Sequence, residues 1–148
     1  MIDSGAKFYI DPSPENFAAF KNLPRDVPIH MLNLLRYREL AEYPVGHEHA
    51  SKGWSGRRAY QEYGTTSGPI FQRVGGSIIW RGRFETMVTG PDDKDWHDGF
   101  VAQYPNAGAF FAMIKDAEYQ QAVVNRTAAL VDSRLMRFAP GEAGGGFG

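Results

Sequence analysis

Six side chains stand out for the chemistry they can do: Asn33, Tyr60, Tyr63, Arg81, Tyr119 and Arg126. Arg81 and Arg126 each offer a guanidinium, whose two parallel N–H donors suit a carboxylate or an enolate. A tyrosine hydroxyl can donate to a developing oxyanion or exchange a proton. An asparagine can orient a carbonyl. Such a set suits proton abstraction beside a carbonyl, as in an isomerase, or oxygenation of an electron-rich phenol that supplies its own electrons. In this reading Tyr60 and Arg81 are the catalytic pair, and Asn33, Tyr63, Tyr119 and Arg126 bind ligand. The competing reading is structural. The tyrosines are then core aromatics with hydroxyls at the edge, and the arginines pair with carboxylates such as Glu62 or Glu85, or across a subunit interface.

Other constellations carry less. His47-Glu48-His49 can hold a metal only if extended and joined by a third ligand, and no third ligand stands at a suitable spacing, so a solvated loop is expected and no metal is assigned. The acidic run from Asp92 to Asp95 lacks the length, central glycine and closing glutamate of a calcium loop, and reads as a turn. Gly75-Gly76 follows a helix C-terminus, where the dipole repels anions, so it is not a phosphate cradle. His97 is the candidate for an axial haem ligand, but no cofactor is assigned.

The elements that must position these groups follow from pattern. Asp11-Pro12-Ser13-Pro14 opens a short helix, with Ser13 as cap, Pro14 at the first position, and Phe17 and Phe20 on one face. Phe8-Tyr9-Ile10 before it is an edge strand or an anchor. Pro28 to Arg36 alternates with apolar residues on both faces, which marks a central strand. Asn33 is polar within one of those rows, so it is met by neighbouring backbone or faces a pocket. The spacing predicts a helix from Arg57 to Val74, capped by Ser55, kinked at Pro69 and closed by Gly75. A hairpin is expected next, with strands Ser77–Arg81 and Phe84–Thr89 about a turn at Gly82. Ile78 and Trp80 share one face of it, and Ser77, Ile79 and Arg81 the other. Then come a strand from Trp96 to Tyr104, a helix capped by Asn106 that pauses near Lys115-Asp116, and a strand from Ser133 to Phe138.

The chain of 148 residues fits one domain. Hydrophobic content of 43% and charged content of 22% are ordinary for a globular protein, and 14% aromatics can fill a core or line an apolar pocket. A formal charge of -1 disfavours nucleic acid as a partner. The absence of cysteine excludes thiolate chemistry and Cys-based metal sites. No segment reads as a membrane span or leader, so a cytoplasmic protein without membrane or nucleic-acid partners is expected.

The order of elements is a βαββ unit closed by βαβ, a ferredoxin-like α+β arrangement with one extra strand. Its antiparallel sheet would carry helices on one face. Strands apolar on both faces need a second cover, and another copy of the same face supplies it, so an isologous homodimer is expected.

Ala59-Tyr60-Gln61-Glu62-Tyr63, Arg73-Val74-Gly75-Gly76, Trp80-Arg81-Gly82, Tyr104-Pro105, Glu118-Tyr119-Gln120 and Arg126 occur in the order seen in the DUF1330 family. The chain resembles that family, within the dimeric α/β barrel superfamily, over residues 28–138. The resemblance implies the ferredoxin-like sandwich and the dimer, and places a ligand cleft between the sheet and the helices of one subunit. The six candidate residues are expected in that cleft. The superfamily includes cofactor-free monooxygenases, haem-degrading enzymes, lactone isomerases and stress-related proteins. The expectation is a small acidic or aromatic ligand, handled by a cofactor-free isomerase or monooxygenase, or bound without catalysis by a stress-related dimer. Against the family pattern, residues 1–27 form an N-terminal extension and residues 37–56 an inserted loop. Tyr104-Pro105 stands where Phe-Pro is common. Residues 139–148 are read as a disordered glycine-rich tail, and Met1 to Ala6 as frayed.

Overall fold

The computed structural model describes residues 7–148, so the fraying expected for Met1 to Ala6 lies outside the described residues. The elements run α1 (Pro14–Lys21), β1 (Ile29–Tyr37), α2 (Gly56–Arg73), β2 (Ser77–Arg83), β3 (Asp98–Tyr104), α3 (Ala107–Lys115), α4 (Ala117–Ala129) and β4 (Leu130–Phe138). The sheet order is β2-β3-β1-β4 with every pairing antiparallel, which is the ferredoxin-like topology.

Local chemistry sets the helix ends. The Ser13 and Ser55 hydroxyls accept from the amides of Asn16 and Arg58 at 3.1 and 3.0 Å, capping α1 and α2. α2 continues through Pro69 to Arg73 and stops at Gly75, whose φ of +89° only glycine adopts freely. The pause expected near Lys115-Asp116 is the break between α3 and α4. Asp116 caps α4 by accepting from the Glu118 amide at 2.8 Å. Gly56 fixes where α2 begins, because a Cβ there would collide with the carbonyl oxygens of Arg38 and Ala129. Its own amide donates to Arg38 O at 3.0 Å.

Three sequence expectations need correction. Phe84–Thr89 forms no strand. The partner of β2 is β3, reached through a loop from 84 to 97, so the hairpin about Gly82 does not exist. Gly82 lies inside β2 opposite Gly99, and the Trp80 indole covers both glycines; a Cβ at Gly82 would sit 2.8 Å from Trp80 Cζ2. Among the described residues the sheet therefore has four strands, with no extra one.

Second, β2 does not alternate strictly. Ile78 pairs with Ala102 and Trp80 with Val101, leaving Ile79 as a bulge. The extra residue reverses the pleat, so Ile78 and Arg81 share the helix-facing side and Trp80 faces outward. Third, the segment between β1 and α2 is only in part a solvated loop: most of its residues are exposed, but His49 is buried. Tyr43, His47, His49 and Trp54 pack ring against ring, with His49 and Trp54 centroids 4.4 Å apart and the Arg58 guanidinium 4.0 Å from the Trp54 centroid. Among the described residues no cluster of metal-ligand type forms there.

The core lies between sheet and helices. Ile29, Met31, Tyr104, Phe111 and Ile70 form its larger part, with Phe17 and Phe20 of α1 packed on it; Leu35, Tyr37, Ala59 and Leu130 form a second part. Residues 7–13 make no strand but act as an anchor. The Tyr9 amide donates to Asp132 Oδ1 at 3.0 Å, the Ser133 hydroxyl to Tyr9 O at 2.8 Å, and Arg126 Nη1 to Ile10 O at 2.9 Å. The other sheet face carries His30, Leu32, Leu34, Trp80, Val101, Met136 and Phe138, with Trp80 and Phe138 54% and 51% exposed. Among the described residues no helix is long and apolar enough to cross a membrane.

Candidate functional site

Between the sheet and the helices lies a cleft of about 1550 Å³. Its floor is the helix-facing row of the sheet. Asn33 pairs with Phe100 and Leu135, Met31 with Ala102 and Arg137, and Arg81 with Phe100. Its roof comes from α2 and α4. Tyr60, Tyr63 and Ser67 stand three and four residues apart on α2, and Tyr119, Val123 and Arg126 four and three apart on α4, so each set shares one helical face. One side wall is the N-terminal segment from Tyr9 to Leu23.

All six residues singled out in the sequence line this cleft. His30 projects from the opposite face of β1, as alternation requires, and its Nε2 lies 3.1 Å from Gln103 Oε1. Asn33 is buried, and its Nδ2 donates to Met31 O at 3.1 Å, which satisfies one of its polar groups locally while the residue borders the cavity. The Tyr63 and Tyr119 hydroxyls are 2.8 Å apart. The Tyr60 hydroxyl has no hydrogen-bond partner among the described residues, and its ring lies 5.2 Å from that of Tyr63. Burial pushes the Tyr60 hydroxyl well above its ordinary value, although Arg126 and Arg81 both pull it down. Burial also raises Tyr63 and Tyr119. All three hydroxyls are therefore protonated donors at neutral pH.

Among the described residues neither Arg81 nor Arg126 makes an ion pair with Glu62 or Glu85. Glu62 pairs with Arg58 at 3.2 Å. Among the described residues no carboxylate pairs with Arg81, whose guanidinium lies 5.9 Å from the Phe100 centroid. Arg126 donates to Ile10 O, with its Nη2 3.5 Å from Ser133 Oγ, and meets no carboxylate. His97 is not a cleft residue. Its ring stacks on Tyr37 at 5.4 Å and its Nδ1 accepts the Tyr37 amide at 2.9 Å. Burial first, then Arg36 and Arg57, lower its pKa.

Sequence reasoning missed Arg134 and Arg137, which also line the cleft. Asp132 holds Arg134 at 2.7 Å. Arg137 is in phase with Ser133 and Leu135 on the cleft side of β4; that phase was readable, but both alternating rows of the strand carry an arginine. Among the described residues the lining thus contains four arginines, Arg81, Arg126, Arg134 and Arg137, against one carboxylate, Asp11.

The profile of the DUF1330 family, described as a domain of unknown function, matches residues 53–137. The chain belongs to the DUF1330 family. The family's matched stretch holds every cleft arginine and all three of the site tyrosines. RPA0582 of Rhodopseudomonas palustris, a protein of unknown function, is 45% identical, with a TM-score of 0.83 over 93% of this chain and 100% of that one. Methylated RPA0582 is 46% identical, with a TM-score of 0.84 over 93% and 98%. SnoaB of Streptomyces nogalater, a cofactor-independent oxygenase, is 11% identical, with a TM-score of 0.50 over 79% of this chain and 96% of that one. At that identity it shares the fold alone with this DUF1330 protein. No curated protein matches the sequence.

Proposed function

We propose that this DUF1330 protein binds a small organic acid with an aromatic or otherwise apolar body in the cleft between sheet and helices. The observation that carries the reading is the charge of the lining: among the described residues it has four arginines, of which only Arg134 is paired with a carboxylate, against the single carboxylate of Asp11, in a chain whose formal charge is -1. Two of those arginines, Arg81 and Arg126, face the cavity without a carboxylate partner among the described residues. Apolar walls with a few convergent donors are what a small-molecule site needs.

The same lining favours binding over acid–base chemistry. Among the described residues it contains no His, Glu, Lys or Cys, its one carboxylate is Asp11, and its tyrosine hydroxyls are pushed up by burial. Proton abstraction needs a base with a pKa near the working pH. The isomerase reading therefore has the weaker support. A second reading keeps catalysis: the unpartnered Tyr60 hydroxyl, within the field of Arg81 and Arg126, donates to an oxyanion that develops in a bound phenol or lactone. The activity named for SnoaB is consistent with this, through fold alone.

Thermal shift and calorimetry with aromatic carboxylates, their amides and lactones test the first reading. The acids are expected to raise Tm by about 5 °C near saturation, since ligand at a hundred times Kd contributes roughly 2.7 kcal/mol. The amides are expected to do nothing, and the acids to bind more weakly as salt rises. Amides that bind as well as the acids would defeat it. Oxygen uptake or lactone turnover that disappears in Tyr60→Phe would favour the second.

The proposal includes a homodimer. Leu32, Leu34, Trp80 and Val101 lie on the uncovered sheet face, and a second copy of the same face covers them. Leu34→Glu places a charge at the centre of that face and is expected to yield monomers by light scattering at micromolar concentration. A wild-type protein already monomeric there would refute the dimer.

A further inference from the structure

We infer that the cleft is two-ended and that its ligand is an elongated organic diacid with an apolar, preferably aromatic, middle. This rests on the anion-binding reading above and adds a second pole and a ligand shape. The first pole is Arg81 beside Tyr60; Arg126, whose Nη2 lies 3.5 Å from Ser133 Oγ on β4, stands on the far side of that tyrosine. The second pole is Arg137.

Arg81 is on β2, paired with Phe100; Arg137 is on β4, paired with Met31. These are the two outermost strands of the order β2-β3-β1-β4. Three strand spacings of ~4.8 Å put their backbones ~14 Å apart, and a two-residue offset along the strands adds to it. One small carboxylate does not reach both.

Arg137 also carries a need that its own chain does not meet. Its Nη2 donates to Pro24 O at 2.8 Å, and its guanidinium lies 5.6 Å from the Phe20 centroid. Its Nη1 is buried and has no partner among the described residues. A buried charged N–H left without an acceptor is costly, and native structures fill such positions. Nη1 is shut off from the cleft in this position, so a carboxylate at this end would meet the Arg137 guanidinium by drawing it outward into the cavity. Between the poles the floor is Met31, Ala102 and Ile78, and Phe71, Tyr104 and Phe110 also line the cavity. That lining suits rings or hydrocarbon, and no charge.

The test is calorimetry with two probes of equal body, biphenyl dicarboxylate and biphenyl monocarboxylate, at fixed ionic strength. The dicarboxylate is expected to bind at least tenfold more tightly, beyond the statistical advantage of two identical ends. Arg137→Gln is expected to bring the dicarboxylate down to about the affinity of the monoacid for the same variant. Arg137→Lys keeps the charge and is expected to keep part of the difference. Equal affinity of the two probes for the wild type overturns the second pole while the anion-binding reading stands. So does a dicarboxylate advantage that survives Arg137→Gln. Binding of neither probe overturns both. The wild-type ratio and the lysine variant decide the matter even if Arg137→Gln fails to fold.

Discussion

Replacing both Arg81 and Arg126 by glutamine is expected to weaken aromatic-carboxylate binding by at least about 100-fold while leaving the fold intact. A hydrogen bond to a charged group contributes roughly 1.5–3 kcal/mol, so losing two such contacts exceeds the ~2.8 kcal/mol that a 100-fold change represents, even with some non-additivity. Arg81 holds no carboxylate among the described residues and contributes little to stability, so its single variant isolates the binding effect. Arg126 donates to Ile10 O, a bond that a glutamine amide can replace in kind. The salt dependence of binding is expected to flatten in the double variant, because the charges that produce it are gone. Arg81→Lys is expected to restore only part of the affinity, since an ammonium does not present two parallel donors. Titration calorimetry at two ionic strengths measures all of this. A double variant that binds acids as the wild type does would remove the arginines from the site.

Asp132→Ala is expected to cost about 3–5 kcal/mol of stability, the scale for breaking a buried ion pair by deleting one partner. Asp132 is 1% exposed. Its carboxylate accepts from Lys94 Nζ at 2.9 Å, Arg134 Nη1 at 2.7 Å, the Tyr9 amide at 3.0 Å and the Ser133 amide at 2.9 Å. Alanine leaves the largely buried Lys94 ammonium unpaired and releases the N-terminal segment from β4. Urea denaturation measures the loss, and faster proteolysis before α1 is expected to accompany it. The pH dependence has a definite sign. Burial alone would raise the Asp132 pKa, but the donors from Lys94, the Tyr9 amide and Arg134 outweigh it and hold the carboxyl below its ordinary 3.8. A group depressed in the folded state stabilises fully above its unfolded value and loses that contribution as pH falls through the folded one. The wild type is therefore expected to lose stability below about pH 3.8, and Asp132→Ala to lose less over the same range. Equal acid sensitivity in the two proteins would contradict this.

What was legible in the sequence was local chemistry. Ser13, Ser55, Asn106 and Gly75 mark helix ends by the bonds or backbone angles that they alone supply, and each stands where it was read. The apolar double row of β1 announced a central strand, and the polar Asn33 within it left two readings, a backbone partner or a pocket, both of which it fulfils. The faults came where one residue or a distant partner decides. Phe84–Thr89 alternates as a strand does, yet the edge of β2 is taken by β3 from beyond the 84–97 loop, and no local pattern reports that competition. Ile79 looks like its neighbours, and only pairing with β3 shows it as a bulge that turns Arg81 into the cleft. The residues from 38 to 55 looked solvated because their polar groups are visible in sequence while the stacking of His49 on Trp54 is not.

The N-terminal wall of the cleft has a consequence for descent. The family profile spans residues 53–137, and within it lie every cleft arginine and the three site tyrosines; the wall, Tyr9 to Leu23, lies outside. The arginines proposed to hold the acid group thus fall within the stretch that the family profile matches, whereas part of the outline against which a ligand must fit falls outside it. Two relatives that share residues 53–137 can hold the same acid group and still differ in the molecule attached to it. Exchanging residues 7–27 between such relatives is a direct way to move selectivity without touching the cations.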